Sequence, residues 1–573
     1  MSKKIKKYPR KARDVPRFTF EQHDSLGAED ARHDQQFLEE CFVYTAHYDV
    51  LLDTGNKRSI VIGRTGAGKS ALLIKLRDDV EKGFEIRPES LSLNYITNST
   101  IIKFLQMHGV RLDNFFKLLW RHVFAVEVIK NKFNLTTEAG QNSWLFKLEN
   151  QFRSKKHRNA IEYFLQRGGT FWKDTDFRVR EIVTNFENEV SAEVGMSVPQ
   201  LNAKLKAADK VSEQEKVDVT YRGQTIIDTV HMRELADIID TVDHILDDPQ
   251  RPYYLIIDRL DEGWVEESLR YRLIRALIET VRDFIDVRNL KIVVAIRHDL
   301  LERVFSLTRD PGFQEEKYRS LYLDLSWTPA QLTDIIDRRL NQLVKFRYGK
   351  IALTHRDVLP TLKGQRHKPA MEYMLDRTFM RPRDIIVFFN YCVTEAIGSE
   401  HITLQNLKAA EGLYSEDRLK SLQYEWQSDY PNLTHYITTI FSKSPYRLTV
   451  DEIDVIRVQD AALEAVIKEF PRGDDPLVSA SYSLVSSELI TLKDFKQFLA
   501  FVLYSVGFLG LKRTTAESYK YVSSAGARSM SKNDVTPRTH CEVHPCFWRA
   551  LGIRDAYSDI EPRRRNVDRT AKD

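Results

Sequence analysis

Residues 63–70 read Gly-Arg-Thr-Gly-Ala-Gly-Lys-Ser, directly after the apolar run 59–62 and directly before the apolar run 71–74. The spacing G-x-x-x-x-G-K-[ST] between a strand and a helix predicts a phosphate-binding P-loop. Glycines let successive backbone N–H groups surround phosphate oxygens, and the following helix directs its positive N-terminal end at them. The residues predicted to bind the nucleotide are Gly63, Arg64, Thr65, Gly66, Ala67, Gly68, Lys69 and Ser70.

Two side chains of this loop have distinct predicted roles. Lys69 is expected to reach the β- and γ-phosphates and to act in catalysis. The Ser70 hydroxyl is the expected ligand of Mg²⁺, which prefers hard oxygen donors and bridges to the nucleotide. The motif therefore predicts a nucleoside triphosphate and Mg²⁺ as cofactors.

A second half of the site follows the apolar run 253–257, which is succeeded by Asp258. Such a run is typical of a buried parallel strand, whose carboxyl end presents Asp258 beside the P-loop. Asp258 is the predicted Walker B residue, holding Mg²⁺ directly or through water. Asp261 and Glu262 follow closely, and either could orient or deprotonate the attacking water, with Glu262 slightly favoured. The alternative for these two acids is a charged loop start or a helix N-cap.

Three arginines are further candidates for contact with the nucleotide. Arg297 follows a third apolar run, and at the tip of that strand it could face the γ-phosphate and stabilise transition-state charge. The alternative is an ordinary ion pair with Asp299. Arg381 and Arg383 flank a proline that can open a helix, where ATPases with a helical lid place an arginine that reaches back to the nucleotide. The alternative for both is salt bridging between lid and core.

Length and composition set limits on the class of protein. With 573 residues the chain is expected to form about two to four domains. Its net charge of +4 does not by itself indicate nucleic acid, but residues 3–17 and 563–569 are basic and are either phosphate-contacting arms or solvated ends. Four cysteines and the lack of a signal peptide predict a cytoplasmic protein with reduced thiols. The longest apolar stretch, 498–511, is too short to span a membrane.

The predicted fold class is α/β: a P-loop NTPase with a parallel sheet, a large helical insertion, a helical lid and a C-terminal winged-helix-like domain. The insertion is expected to grow out of the core, because it separates the two Walker motifs by far more than one crossover needs. The predicted segments are a basic arm (1–32), the first part of the core (33–96), the insertion (97–245), the second part of the core (246–345), the lid (346–430), the winged-helix-like domain (431–555) and a basic tail (556–573).

Several local elements are also predicted from hydrophobic spacing. Residues 33–53 are expected to form a helical lead-in whose aromatic side chains pack against the sheet. Residues 89–96 alternate like a strand, and residues 518–522 resemble a short strand. A strand is expected at 320–325, followed by a helix that opens at Pro329.

The motifs together resemble the STAND and KAP-like branch of P-loop ATPases. The resemblance is carried by residues 63–70, by 257–264 (Ile-Asp-Arg-Leu-Asp-Glu-Gly-Trp), by Arg297 and by 381–384 (Arg-Pro-Arg-Asp). Within that branch the chain is most similar to prophage-borne Fun(Z)-like ATPases, which are implicated in excluding competing phages. The resemblance covers about residues 35–425 and implies ATP as the nucleotide. The chain departs from the usual KAP pattern in having no membrane helices, so no membrane partner is implied.

The sequence is compatible with three functions. The leading hypothesis is an ATP-binding and ATP-hydrolysing switch in anti-phage defence or prophage exclusion, with slow or partner-stimulated turnover. The first alternative is a DNA-associated ATPase, similar to loader or repair proteins, that uses a winged helix and basic arms. The second is a nucleotide-gated scaffold with little turnover. Candidate partners are a second copy of the chain, DNA or a phage-derived trigger, and a separate effector protein.

Overall fold

The computed structural model describes residues 18–91, 99–107, 110–132, 248–308, 314–348, 352–362, 368–471, 475–486, 490–522 and 530–554, with isolated positions between 184 and 246. These residues form two compact units. The sheet unit comprises residues 44–325, and the helical unit comprises residues 1–43 together with 326–573. The division therefore falls inside the segments 33–96 and 246–345 that the sequence predicts to be continuous core.

The elements are numbered along the chain. The first are α1 (Gln35–Cys41), α2 (Ala46–Leu52), β1 (Ile60–Gly63), α3 (Lys69–Asp79), β2 (Gly83–Ile86), α4 (Thr100–Met107), α5 (Asp113–Lys132), β3 (Tyr253–Ile257), α6 (Glu267–Asp283), β4 (Leu290–Arg297), α7 (His298–Leu307) and β5 (Tyr322–Asp324). The remainder are α8 (Pro329–Tyr348), α9 (His355–Val358), α10 (Ala370–Leu375), α11 (Pro382–Glu395), α12 (Leu404–Glu425), α13 (Leu433–Phe441), β6 (Arg447–Thr449), α14 (Val455–Ile467), α15 (Pro476–Val485), α16 (Leu492–Ser505), β7 (Leu509–Lys512) and β8 (His540–Val543).

The sheet unit is built on five parallel strands in the order β2-β3-β4-β1-β5. This architecture confirms the predicted parallel-sheet α/β class and fits a P-loop NTPase. Strand β4 lies between β1, which leads into the P-loop, and β3, which leads into Asp258. Gly63 pairs in register with Arg297, so the tip of the central strand lies directly beside the start of the P-loop.

Helices cover both faces of this sheet, which explains why β3 and β4 consist of apolar residues almost throughout. Right-handed crossovers put α3, which joins β1 to β2, on one face, and α6 and α7, which follow β3 and β4, on the other. The described start of the predicted insertion belongs to this core rather than growing out of it. Helix α5 packs along α6, where the Trp120 indole donates to the backbone oxygen of Leu273 at 2.9 Å.

The residues before the P-loop belong to both units, with α1 in the helical unit and α2 in the sheet unit. The prediction that the whole of residues 33–53 packs against the sheet is therefore wrong. In the helical unit, Phe37 of α1 lies under the guanidinium of Arg339 on α8 at 5.3 Å, rather than against the sheet. Helix α2 does pack in the sheet unit, where the Tyr48 hydroxyl donates to Asp79 of α3 at 2.7 Å. Buried Lys291, on β4, donates to the backbone oxygen of Val50 at 2.7 Å and so caps the C-terminal end of α2.

Two further strand predictions differ from the structure. Residues 88–91 form a 3₁₀ turn instead of the start of a strand, and residues 92–98 lie outside the described residues. In the C-terminal part, the predicted strand 518–522 is reduced to one bridge between Lys520 and Leu511. The strand expected at 320–325 is confirmed as β5, and the helix expected at Pro329 is confirmed as α8.

The helical unit contains α1, α8–α16 and a three-stranded antiparallel sheet in the order β6-β8-β7. The C-terminal elements follow one another as α13, β6, α14, α15, α16, β7 and β8. One face of this sheet is apolar, because Leu448, Leu511 and Cys541 lie opposite one another in register and all are buried. Among the described residues, we find no helix that combines the length and the apolar character needed to cross a membrane.

Candidate nucleotide-binding site

The P-loop runs from the end of β1 to the first turn of α3, and its shape depends on two glycines. Gly66 has φ +77°, and Gly68, at the N-cap of α3, has φ +93°. L-residues with a side chain adopt this left-handed region at a cost, so glycine is the suitable residue at both positions. The turn is closed by a hydrogen bond from the Ala67 N–H to the Arg64 oxygen at 3.2 Å.

Lys69, the first residue of α3, is folded back over its own loop. Its Nζ donates to the backbone oxygens of Gly63 at 2.8 Å and Arg64 at 3.0 Å. Burial lowers the pKa of Lys69 to about 8, although the charges of Asp261 and Asp258 act in the opposite direction. The predicted Walker B residue Asp258 and the candidate base Asp261 are therefore close enough to the P-loop lysine to act on it electrostatically.

Arg297 connects the acids that follow β3 with those that follow β4. Its Nη1 lies 3.4 Å from Asp261 Oδ2, and its Nη2 lies 2.7 Å from Asp299 Oδ2. Nε of the same guanidinium lies 3.1 Å from the other oxygen of Asp299, so this pair is bidentate. Burial raises the pKa of Asp299, but the charge and hydrogen bonds of Arg297, with smaller contributions from the backbone and Arg303, together outweigh burial and the pKa is lowered. The ion pair with Asp299 that the sequence raised as an alternative is present, together with a contact to a candidate catalytic acid.

Asp261 and Glu262 have different surroundings although they are adjacent in the chain. Glu262 pairs with Nη1 of Arg259 at 3.2 Å, and its side chain is 44% exposed. Burial and a hydrogen bond with Glu89 raise the pKa of Glu262, while Arg259 acts against that rise. Glu89 lies on the 3₁₀ turn after β2, so Glu262 contacts residues on the β2 side of the sheet. Asp261 instead contacts Arg297 at the tip of β4.

The residues that are present fit a nucleotide phosphate chain with Mg²⁺. The N-terminal turn of α3 leaves its first N–H groups without partners inside the helix, at the end of the P-loop. Ser70 lies in that turn and supplies a hydroxyl, while Asp258 follows β3 and supplies a carboxylate. One carboxylate oxygen of Asp258 accepts from the Arg259 N–H at 2.9 Å. Hydroxyl and carboxylate oxygens are the donors that Mg²⁺ prefers.

The loop that carries Asp261 and Glu262 is held by two side chains, Arg270 of α6 and Trp264, the last residue of the segment 257–264 that carries the family resemblance. Arg270 of α6 donates through Nη1 to the backbone oxygens of Asp261 at 3.4 Å and Glu262 at 3.2 Å. The Trp264 indole, which is 3% exposed, donates to the Leu260 oxygen at 3.1 Å. No sequence motif marks Arg270, because an arginine on a helix can face solvent equally well.

The two predicted lid arginines lie in the helical unit and have partners there. Arg381 is 6% exposed, and its guanidinium lies 4.8 Å from the ring of Phe379. Arg383 donates through Nε to the backbone oxygen of Glu29 at 3.2 Å. Proline at the start of α11, between these two arginines, is confirmed. Contact of either arginine with a nucleotide stays a prediction.

A family model matches part of the helical unit. Residues 330–423 match the model of a family described as the FunZ-associated C-terminal helical domain. This range contains α8 to α11 and most of α12. The match supports the resemblance to Fun(Z)-like proteins that the motifs indicate, while the STAND and KAP-like subclass stays a prediction.

Two comparisons extend over most of the chain. The chain is similar to a transposon gamma-delta 80.3 kDa protein of Escherichia coli (strain K12), with 23% identity over 538 residues, which is 92% of this chain and 67% of that protein. Among solved structures, it is similar to the Walker-type ATPase PABY2304 of Pyrococcus abyssi, with 13% identity and a TM-score of 0.30. That comparison covers 88% of this chain and 95% of the other.

Proposed function

We propose that the protein is an ATP-binding and ATP-hydrolysing switch. The observation that carries this proposal is the convergence of the P-loop, Asp261 and Arg297 at one edge of the parallel sheet. Parallel sheets bind ligands beyond the carboxyl ends of their strands, and these groups lie after β1, β3 and β4. Lys69 and the N–H groups of the P-loop bind the phosphates. Ser70 and Asp258 would hold Mg²⁺, which when bound neutralises the charge of the β- and γ-phosphates.

Asp261 is the better candidate for the residue that accepts a proton from the attacking water. It is the carboxylate with the largest electrostatic effect on Lys69, and its Oδ2 lies 3.4 Å from Nη1 of Arg297 at the tip of β4. Glu262 contacts Arg259 and Glu89 instead. This assignment differs from the slight preference for Glu262 that the sequence alone suggested.

Arg297 is proposed to sense the γ-phosphate. Its guanidinium already joins Asp261 to Asp299, and a phosphate oxygen beside it would compete with Asp261 for the same donors. Asp299 would keep the guanidinium at the strand tip during that exchange. Release of Asp261 from the ion pair leaves its carboxylate free to accept a proton.

The biological role that we propose is anti-phage defence or prophage exclusion. It is supported by the resemblance of the motifs to Fun(Z)-like ATPases and by the family match at residues 330–423. A phage-derived trigger would stimulate hydrolysis, and contacts with the phosphates would convert the bound nucleotide into a conformational change. A separate effector would act downstream, and assembly of several copies of the chain is compatible with such a switch.

A DNA-associated ATPase is the second candidate. The element order of the C-terminal part, with three strands paired as β6-β8-β7, suits a winged helix. Lys512 at the end of β7, with Arg513 and Lys520 of the segment that follows, would supply positive charge for phosphates. The similar Escherichia coli protein is named for a transposon, which is a mobile DNA element and suits this alternative as well.

The deciding experiment is ATP turnover by the purified full chain, alone and with duplex DNA, single-stranded DNA or lysate of phage-infected cells. Lys69→Ala is the blank, and Lys57→Ala, at an exposed lysine before β1, is the matched control. Turnover that needs Lys69 and rises with infected lysate is expected. Stimulation by pure DNA would favour the DNA-associated ATPase. Nucleotide binding without any Lys69-dependent turnover would favour the nucleotide-gated scaffold.

A further inference from the structure

The segment between β3 and α6 contains the proposed base, yet residues 258–264 belong to no helix or strand. The position of the Asp261 carboxylate therefore depends on how these peptide groups are held. The Glu262 N–H donates to the Arg259 oxygen at 3.2 Å, and the Trp264 N–H donates to the Glu262 oxygen at 3.0 Å. These two bonds fold the segment into a compact turn. Both lie within the segment, so neither attaches it to a helix or a strand.

Arg270 attaches this turn to a helix. Its Nη1 approaches the consecutive carbonyl oxygens of Asp261 and Glu262, at 3.4 and 3.2 Å. Holding two consecutive carbonyls fixes the planes of both peptide groups, since each peptide is planar. The side chain of Arg270 is 15% exposed, while the two carbonyls that it holds belong to exposed residues.

The place of Arg270 on α6 is informative. The helix begins at Glu267, so Arg270 lies at the end of its first turn, where the helix dipole favours acids over cations. A cation at this point gains little from the helix itself. Its interactions include those with the turn, with Glu267, whose Oε1 is 3.5 Å from Nη2, and with the ring of Tyr271 at 5.7 Å.

Helix α6 is itself firmly held, which makes it a suitable support. The Trp120 indole of α5 donates to the Leu273 oxygen at 2.9 Å, and Phe124 meets Phe284 edge-on with ring centroids 5.5 Å apart. Lys117 and Arg121 of α5 form ion pairs with Glu279 and Asp283 of α6. The described part of the insertion thus braces the helix that carries Arg270.

We propose that Arg270 is a positioning residue for Asp261: by holding the carbonyls of Asp261 and Glu262 against α6, it keeps the Asp261 carboxylate directed to Arg297 and the P-loop. This inference rests on the proposed hydrolysis. Arg270 touches neither phosphate nor water in this scheme, and it acts through the backbone of Asp261. Removal of its guanidinium is therefore expected to affect the chemical step and to leave nucleotide binding unchanged.

The test compares Arg270→Met and Arg270→Lys with Arg272→Met in the full chain. Arg272 lies on the same helix and has no hydrogen bond to the turn among the residues that the structure describes. Arg270→Met should lower kcat roughly 10- to 100-fold, as expected for a misplaced reacting group, with KM and the affinity for a nonhydrolysable ATP analogue unchanged within about twofold. Arg270→Lys should recover part of the loss, and Arg272→Met should match the wild type.

A double-mutant cycle separates positioning from general damage. In an Asp261→Asn background, single-turnover rates should show no further loss on adding Arg270→Met. Equal losses in both backgrounds, a parallel loss of nucleotide affinity, or an unchanged kcat for Arg270→Met would each overturn the proposal. If Arg270→Met does not fold, Arg270→Lys takes its place in the same cycle with the same criteria. Absence of Lys69-dependent turnover in the wild-type chain would instead overturn the proposed function, and the role of Arg270 with it.

Discussion

The guanidinium of Arg297 lies 3.4 Å from the carboxylate of Asp261, although the two residues are 36 positions apart in the chain. Their strands, β4 and β3, are neighbours in the sheet, and both residues follow the buried part of a strand. This contact gives the strand next to the P-loop a direct connection with the candidate base. It is the basis for the first two predictions.

Replacing Arg297 should affect hydrolysis more than binding. Arg297→Met removes a positive charge that would stabilise the transferring phosphoryl group, and losses of this type are roughly 100- to 1,000-fold in kcat. Steady-state turnover and affinity for a nonhydrolysable analogue would be measured together. Arg319→Met, at an exposed arginine of the turn before β5, is the control. A loss confined to nucleotide affinity would contradict the proposed role.

The two adjacent acids should differ sharply when neutralised. Asp261→Asn is expected to lower kcat by roughly 100- to 10,000-fold, as for loss of a general base, and to leave ATP bound. Glu262→Gln should remain within about threefold of the wild type, because the contacts of Glu262 are with Arg259 and Glu89. Rapid-quench measurements of bound ATP and ADP would decide between them. The opposite pattern would assign the base to Glu262.

The P-loop glycines can be tested against a glycine that has no special conformation. Gly68→Ala forces an L-residue to φ +93°, at a cost of about 1–2 kcal/mol, which corresponds to roughly tenfold weaker nucleotide binding or more. Gly412→Ala is the matched control, since Gly412 lies inside α12 and a Cβ added there meets no neighbouring atom within 4 Å. That change should stabilise the helix by about 0.5–1 kcal/mol and leave nucleotide affinity unchanged. Equal affinities for both variants would contradict the expectation.

Buried Lys291 should make the stability of the sheet unit depend on pH. Burial lowers the pKa of Lys291 from 10.5 to about 8. Below pH 8 the folded and unfolded chains are both protonated at this lysine, so it adds no pH dependence. Between about pH 8 and 10.5 only the unfolded chain binds that proton, so the free energy of unfolding rises with pH, by at most about 1.4 kcal/mol per pH unit.

Urea denaturation of the wild type and of Lys291→Met at pH 7.5, 9.0 and 10.0 would measure this effect. The stability of the wild type relative to the variant should increase across that series, because the variant lacks the titrating group. A difference that stays constant with pH would show that the folded lysine keeps its proton.

The helical unit offers a stability test at the ion pair of Asp34 and Arg339, whose residues are 5% and 7% exposed. Asp34→Asn leaves a buried arginine without its counter-charge and should cost about 3–5 kcal/mol. Glu40→Gln is the control, because its pair with Lys345 is exposed and should contribute less than about 1 kcal/mol. Chemical denaturation of both variants would give the comparison. Similar stabilities would mean that solvent reaches Arg339 in the folded chain.

Most of the fold of the sheet unit could be predicted, because buried parallel strands consist of continuous runs of apolar residues. Strands β1, β3 and β4 were predicted in this way, and their positions are confirmed. Strand β2 was missed, because it lies at the sheet edge and reads Gly-Phe-Glu-Ile without a continuous apolar run. The assignment of α1 to the helical unit was also missed. It depends on Arg339, about 300 residues later, and local spacing holds no information on such a contact.

Some features of the candidate site could likewise be predicted from the sequence, and others could not. The P-loop sequence and the placement of Asp258 and the acids after it at one edge of the sheet were predictable, because phosphate and metal chemistry restricts residue type at fixed spacing; their roles stay predictions. The choice between Asp261 and Glu262 was not, because it depends on which neighbouring strands supply Arg297 and Glu89. Arg270 could not be predicted either, since its contact is with backbone atoms and leaves no pattern in the sequence.

The helical unit is discontinuous along the chain, and this has a consequence for synthesis on the ribosome. Asp34 emerges 305 residues before Arg339, its partner in the same unit. At about 5–20 residues per second, translation of the intervening chain takes roughly 15–60 s. During that time the entire sheet unit is made, while the N-terminal segment has no partner from α8 onward. The nascent chain is therefore expected to complete its nucleotide-binding unit before the segment around Asp34 meets Arg339, so that segment is exposed to chaperones and proteases during this interval.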